Sequence, residues 1–431
     1  MGEVQLGYGR SSLSFTFDEN RCAVLSDNHD RLRPLTDIEM GAALDAPIAA
    51  PPLDEICSAS DSALIVVSDA TRATASAQIV NLLVRRLIQY GVLPGNIAII
   101  FATGIHRPVT EREKVELLTP FIAQRVRILN HDANDPKQMV SLGTTELGTP
   151  VVLNRALKDY SVVITSGAVG FHYFAGFTGG RKSICPGLAS AKTIQATHML
   201  ALDFESGGRR NGVDTGKLSG NLVHEECERI AALVAPTFSI VTEVDDLGRA
   251  VKIYCGHWQK SHQQACEVYL DTHSIPIEQP RDLVVVSCGG LPFDINLIQA
   301  HKALDMAAKA CRENGTIVLL AECGDGLGRP DFLKWFSEND SQALALRLRK
   351  EYEVNGQTAW ALLSKTERYR VHLVSSLHDN DVRLMGMLPS HSIEDVVATE
   401  RAETGYIMPR GAAVLPRVRS SDWVAHAPAD A

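Results

Sequence analysis

Residues 166–198 read SGAVGFHYFAGFTGGRKSICPGLASAKTIQATH, and the way this stretch is parsed decides the fold. It starts at the end of an apolar, β-branched run, Ser161 to Thr165, that has the pattern of a buried parallel strand, and a helical pattern resumes at Ser190. A strand that passes through glycine-rich backbone into a helix is how an open α/β sheet presents a ligand site at its carboxyl edge. The plainer alternative is a long surface loop. Against it stand Gly179 and Gly180, which let backbone approach a ligand closely, Lys182, which puts a cationic amine there, and Ile184 and Cys185, which turn back inward. Lys182 reads either as a phosphate binder or as a covalent anchor. With Ser190 as the helix cap, His198 lies about 12 Å along the helix at ~1.5 Å per residue, so a folded-back loop can bring Lys182 and His198 to one ligand.

The same grammar occurs twice upstream. The strand pattern Ala63–Val67 ends in Ser68-Asp69-Ala70-Thr71-Arg72, and Ile79, Leu82, Leu83, Leu87 and Ile88 then follow a helical period. The Ser68 and Thr71 hydroxyls with Asp69 and Arg72 make a phosphate or carboxylate site at a strand-to-helix turn, unless Ser68 or Asp69 is only a helix cap. The pattern Asn96–Phe101 ends in Gly104-Ile105-His106-Arg107, before Thr110 and Glu113 in capping-box spacing. Several strand tips are thus aimed at one place. His106 and His172, with imidazole pKa values ordinarily near ~6.5, suit proton exchange at neutral pH.

Pro276 and Pro280 bracket a polar linker, which predicts an N-terminal domain over residues 1–275 and a C-terminal one over 276–431. The fold class expected is α/β: two open domains with mostly parallel sheets and the active site in the cleft between them. In the second domain Asp282–Ser287 leads to Gly289-Gly290, and Asn296, Gln299 and Lys302 recur at three-residue spacing on one helix face. Gly324 to Gly328 is a weak dinucleotide-binding fragment, because Pro330 interrupts the helix that should follow. Residues 2–17 alternate as a hairpin, residues 207–219 have the composition of a mobile loop, and His257, His262 and His273 read as structural or solvated. His224-Glu225 opens a zinc-peptidase motif that Glu228 breaks.

Composition narrows the function. The chain has 431 residues, 45% hydrophobic and 22% charged, with a net charge of −9, which argues against a general nucleic-acid binder. Its nine cysteines contain no CxxC pair and look like reduced thiols, so soft donors for a metal must come from elsewhere. No basic-then-apolar leader and no long apolar run predicts a cytoplasmic protein without a membrane partner.

The set Ser68-Asp69-Ala70-Thr71-Arg72, Gly104-x-His106-Arg107, His172-x-x-Ala175-Gly176-x-x-Gly179-Gly180-Arg181-Lys182-Ser183-Ile184-Cys185-Pro186-Gly187 with distal His198, and Gln299-x-x-Lys302 strongly resembles the nickel-dependent lactate racemase family, over about residues 6 to 415. One departure is Phe171, where many members place Pro. The resemblance implies a racemase or epimerase acting at C2 of a small 2-hydroxy acid by proton-coupled hydride transfer. It implies nickel and a pyridinium-3,5-bisthiocarboxylic acid mononucleotide, joined to Lys182 as a thioamide, with His198 as the protein ligand to nickel. His106 and His172 are then the two bases, and Arg72, Gln299 and Lys302 the substrate residues. Ser68, Asp69, Thr71, Gly179 and Gly180 would line the cofactor, with Trp360 as the aromatic above it. Partners would be the cofactor-biosynthesis and nickel-insertion proteins. Two other readings stay open at this point: a zinc hydrolase built on His106, His172 and His198, and a non-catalytic carrier of the nickel nucleotide.

Overall fold

Alternate residues of the strand Ala63–Ser68 enter different cores. Ile65 and Val67 pack with the helix Ser76–Gln89, while Leu64 and Val66 pack with residues from the opposite face, among them Val151, Ile184 and Ile194. A strand buried on both faces needs an unbroken apolar run, which is what the sequence supplies. In the computed structural model, which describes residues 1–26, 32–338, 340–400 and 402–419, this strand lies inside a six-stranded sheet. The order is Ala250–Gly256, Phe238–Val244, Val162–Ala168, Ala63–Ser68, Ile97–Ala102 and Arg127–Leu129, and every neighbouring pair is parallel except the first. The chain runs outward from Ala63–Ser68 in one direction and then returns to build Val162–Ala168 on its other side. That reversal is where an open sheet leaves a crevice at its carboxyl edge.

A second six-stranded sheet, all parallel, has the order Leu388–Ser390, Arg370–Val374, Cys311–Leu320, Arg281–Ser287, Gly405–Met408 and Cys22–Val24. The expected α/β class with mostly parallel sheets is therefore what the chain forms. Two compact units result: Met1–Asn28, Leu202–Asn211 and Leu270–Ala431 make one, His29–Ala201 and Gly212–Tyr269 the other. The division expected at 275/276 thus differs from the observed one. Cys22–Val24 pairs as an edge strand with Gly405–Met408, and Leu6 and Phe15 join the core around Val285 and Val318, so the N-terminal residues pack with the C-terminal ones.

The expected hairpin is Gly2–Tyr8 paired with Ser11–Phe17, with Leu6 and Phe15 buried and Leu13 exposed. Its turn fills the tip at Gly289-Gly290: Ser287 Oγ donates to Gly7 O at 2.5 Å, and a Cβ on Gly7 would stand 2.4 Å from the Gly289 carbonyl carbon. The segment expected to be a mobile loop is instead hydrogen-bonded. Within the first unit Trp360 Nε1 donates to Gly207 O, and Asp305, buried, meets Arg209 at 2.8 Å and Lys365 at 2.7 Å. Within the second, Gly216 N donates to Gly176 O and Asn221 Nδ2 to Lys217 O. An antiparallel pair, Met139–Thr144 with Pro150–Asn154, was not legible in the sequence. Among the described residues no helix is long and apolar enough to cross a membrane.

The buried His131 ties this pair to the loop ahead of the helix Ala191–Met199: Nε2 donates to Ala189 O at 3.2 Å and Nδ1 accepts from Asn154 Nδ2 at 3.1 Å. Burial pushes its pKa down to about 4, against the smaller opposing effect of the Ala189 bond. An unfolded His takes its proton near ~6.5, so stability from this group is complete above that value and is lost as pH falls through about 4. Urea midpoints measured from pH 7 to pH 4 should therefore fall, and His131→Gln should flatten that acid slope by about one proton; an unchanged slope would contradict the assignment.

Candidate active site

Three strand tips of the sheet around Ala63–Ser68 converge at the crevice, and each delivers its residues through a specific local device. After Ala63–Ser68, Asp69 forms a tight turn in which its Oδ1 accepts from Thr71 N (2.9 Å) and Thr71 Oγ1 (2.6 Å). Neither Ser68 nor Asp69 caps the next helix, since the capping position is Ala75. The second Asp69 oxygen accepts from His106 Nδ1 at 2.7 Å, across from the tip of Ile97–Ala102. Burial alone would raise the Asp69 carboxyl, but the hydrogen bonds from His106 and Thr71 outweigh it and hold it below the usual value. Both Asp69 oxygens thus have partners within the protein, Thr71 on one and His106 on the other. The His106 side chain is 47% exposed.

The third tip follows Val162–Ala168. Here His172 accepts at Nδ1 from Ala175 N at 3.2 Å. Phe174 gathers the group: its ring stands edge-on to His172 (centroids 4.5 Å apart) and to His198 (5.1 Å), and Lys182 Nζ lies 5.7 Å from its centroid. His198 sits on the helix whose cap is Ser190, as the sequence predicted, with Thr193 N donating to Ser190 Oγ. Phe174 carried no sequence signal beyond being an aromatic in a glycine-rich loop, and its role as hub was missed.

Electrostatics set the protonation states. Burial, then the Arg181 and Arg72 charges, push the Lys182 amine down to about 7, although Lys182 keeps some accessible surface. Burial, then the Lys182 and His106 charges, push His198 down to about 3, so its imidazole is neutral at pH 7. The groups that press on Lys182 and His198 are cationic, which is the field that an anionic ligand requires.

The two exposed-tip histidines are held in opposite tautomers. In their neutral forms His106, which meets Asp69 through Nδ1, would keep its lone pair on Nε2, while His172, which accepts at Nδ1, would carry its hydrogen on Nε2. One can take a proton when the other can give one. Among the described residues no three His, Cys, Asp or Glu side chains are grouped so as to hold a metal ion.

Ser68 Oγ stands near Gly167 and Ser183, beside the Gly179 backbone. Thr71 and Arg72 are exposed. The remaining expected residues belong to the other unit. Gln299 and Lys302 lie one turn apart on the helix Leu297–Ala310, with Lys302 Nζ donating to Gln299 Oε1 at 2.5 Å, and Asn296 is that helix's cap, not part of its face. Trp360 is 3% exposed, with its indole nitrogen on Gly207.

Comparison with known proteins accords with this geometry. Residues 8–208 match the lactate racemase N-terminal domain and residues 277–415 the lactate racemase C-terminal domain. A lactate racemase of Lactiplantibacillus plantarum is 30% identical over 338 residues, 77% of either chain, and one of Thermoanaerobacterium thermosaccharolyticum is 29% identical over 342 residues, 79% of either chain. The solved lactate racemase apoprotein from the latter organism superposes with a TM-score of 0.87 at 25% identity, over 96% of this chain and 100% of that one. A Thermotoga maritima protein at 17% identity, with a TM-score of 0.65 over 91% of this chain and 100% of that one, shares the fold. These relatives define an isomerase of the racemase class. The chain belongs to the lactate racemase family.

Asp69→Asn keeps the shape of the turn but presents an amide to Nδ1, which undoes the His106 tautomer. We expect kcat to fall by about 10²-fold or more, the usual scale for a lost general acid or base, with thermal stability changed little. Unchanged kcat would show that Asp69 does not orient a working base.

Proposed function

We propose that this enzyme inverts C2 of a small 2-hydroxy acid, lactate or a close analogue, with His106 and His172 on opposite faces of the substrate. The observation that carries the reading is the pair of opposite tautomers: a racemase must deprotonate the hydroxyl of one hand and reprotonate the oxygen of the other. For one enantiomer His106 Nε2 accepts the hydroxyl proton while His172 Nε2–H is ready to give one back, and for the other enantiomer the roles exchange. Arg72 supplies a guanidinium for the substrate carboxylate. Gln299 and Lys302 are further proposed substrate contacts.

Removing the α hydrogen as a proton would place negative charge beside the carboxylate anion, so its loss as hydride, with oxidation to the ketone and back, is the easier path. No side chain accepts a hydride. The residues fit a nickel-pincer nucleotide. Lys182 has an amine that is partly neutral at pH 7, as thioamide formation requires, and His198 offers a neutral nitrogen donor, the form that binds nickel. Sulfur donors would come from the pyridinium-3,5-bisthiocarboxylic acid mononucleotide. When bound, that group supplies hydride acceptance. Ser68, Thr71, Gly179 and Gly180 are the proposed lining, and cofactor-making and nickel-insertion proteins the transient partners.

Peptide mapping of protein co-expressed with those partners should find the added mass on Lys182; an adduct on another lysine would refute the assignment. His198→Ala should lose nickel and keep the Lys182 adduct. Full nickel retention would remove His198 as the ligand.

A further inference from the structure

Behind the site lies a buried polar network that catalysis as described does not use. Arg181, next to Lys182 in the chain, is 1% exposed. Its Nη2 donates to Ala175 O at 2.7 Å and its Nη1 to Gly179 O at 3.4 Å, so one guanidinium staples both ends of the loop that carries Phe174 and Gly180. The far side of the guanidinium meets His262, whose Nε2 lies 3.0 Å from Nη1. The same nitrogen lies 2.9 Å from Thr178 O, on the same loop. The His262 ring also fixes the backbone sterically: a Cβ on Gly180, which has φ +54°, would meet the ring at 2.4 Å. His262 is 2% exposed, stands on the helix Trp258–His273, and has Cys266 Sγ 3.3 Å from its Nε2 and His224 stacked 6.5 Å away.

We propose that His262 is a positioning residue, which sets the place of Lys182 by holding Arg181 and the Gly180 backbone on either side of the loop. The chain of contacts is continuous. His262 touches Arg181, Thr178 and Gly180; Arg181 fixes Ala175 and Gly179; Lys182 is the next residue and faces Phe174. Each link is a packing contact or hydrogen bond inside one compact unit, and the imidazole is the group that touches the loop at three successive places. Burial, then the Arg181 charge, keep His262 well below its ordinary pKa, so it is neutral and does not repel the guanidinium. Arg181 has only donors, so its bond needs a bare Nε2, whereas Thr178 O needs a protonated one. A Gln amide, with a donor and an acceptor, can meet both partners; a Phe ring keeps the shape and meets neither.

The proposal builds on Lys182 as the reacting amine, yet it is tested apart from that reading, in the full chain expressed without cofactor-making proteins. A short pulse of acetic anhydride at pH 7 labels lysine amines, and mass spectrometry reads Lys182 against Lys192, an exposed lysine on the neighbouring helix. His262→Phe should change the Lys182/Lys192 labelling ratio by about fivefold or more, and His262→Gln should return it toward the wild-type value. A ratio within about twofold of wild type in the Phe variant, or a change that Gln fails to reverse, would overturn the proposal. Should the Phe variant fail to fold, His262→Asn, whose amide is too short to reach Arg181, is read in its place by the same ratio. An adduct absent from Lys182 in cofactor-loaded protein would sink the covalent anchor and leave this positioning result standing.

Discussion

The reversal of strand order beside Ala63–Ser68 is the constraint on which everything else in the second unit depends. Because this strand and Val162–Ala168 are parallel neighbours reached from opposite directions, their following loops part and cannot cover each other. The apolar alternation that buries both faces of these strands pins their register, since a slip of one residue would exchange the two cores. Asp69, His106 and His172 are therefore located by hydrophobic burial in the sheet beneath them before any polar contact is made.

Polar contacts then do something the sheet cannot, which is to choose protonation states. Asp69 and the Ala175 amide select opposite tautomers in two imidazoles that are chemically alike. Arg181 contributes in another way. It is a buried guanidinium bonded to carbonyls and a neutral ring, and an ionic partner that would cancel its field is absent from those contacts. Its charge is thus felt by Lys182, His224 and His262, each of which it disfavours as a cation. Burying such a charge is costly, and the cost is tolerable where its field prepares a neighbouring amine.

Much of this was legible in the residues. The strands that end at Ser68 and Ala102, the Ser190 cap and the Thr110–Glu113 capping box all follow from short-range rules, and the structure has them. Val162–Ala168 runs three residues beyond its apolar stretch, where Ser166, Gly167 and Ala168 pair with Ile240, Val241 and Thr242, a long-range fact invisible locally. For the same reason Asp69 reads as a ligand contact until His106 is seen opposite it. His262 gave the least signal: a lone histidine in a polar helix looks solvated, and only its helix's placement against Gly180 shows otherwise. The two-unit division was misjudged because a three-residue strand, Cys22–Val24, says little about a partner near the other end of the chain.

That last pairing has a bearing on how the protein is made. Gly405–Met408 leaves the ribosome about twenty seconds or more after Cys22–Val24 at ~5–20 residues per second. The unit with Lys182 and His198 draws all of its strands from residues before Gly256 and can close its sheet while synthesis continues. The other must keep an unpaired strand edge waiting for its last neighbour, and a waiting edge is what aggregation and chaperones both recognise. A ribosome that stalls late would thus release a chain whose chemistry is already folded, joined to a sheet still open on one side.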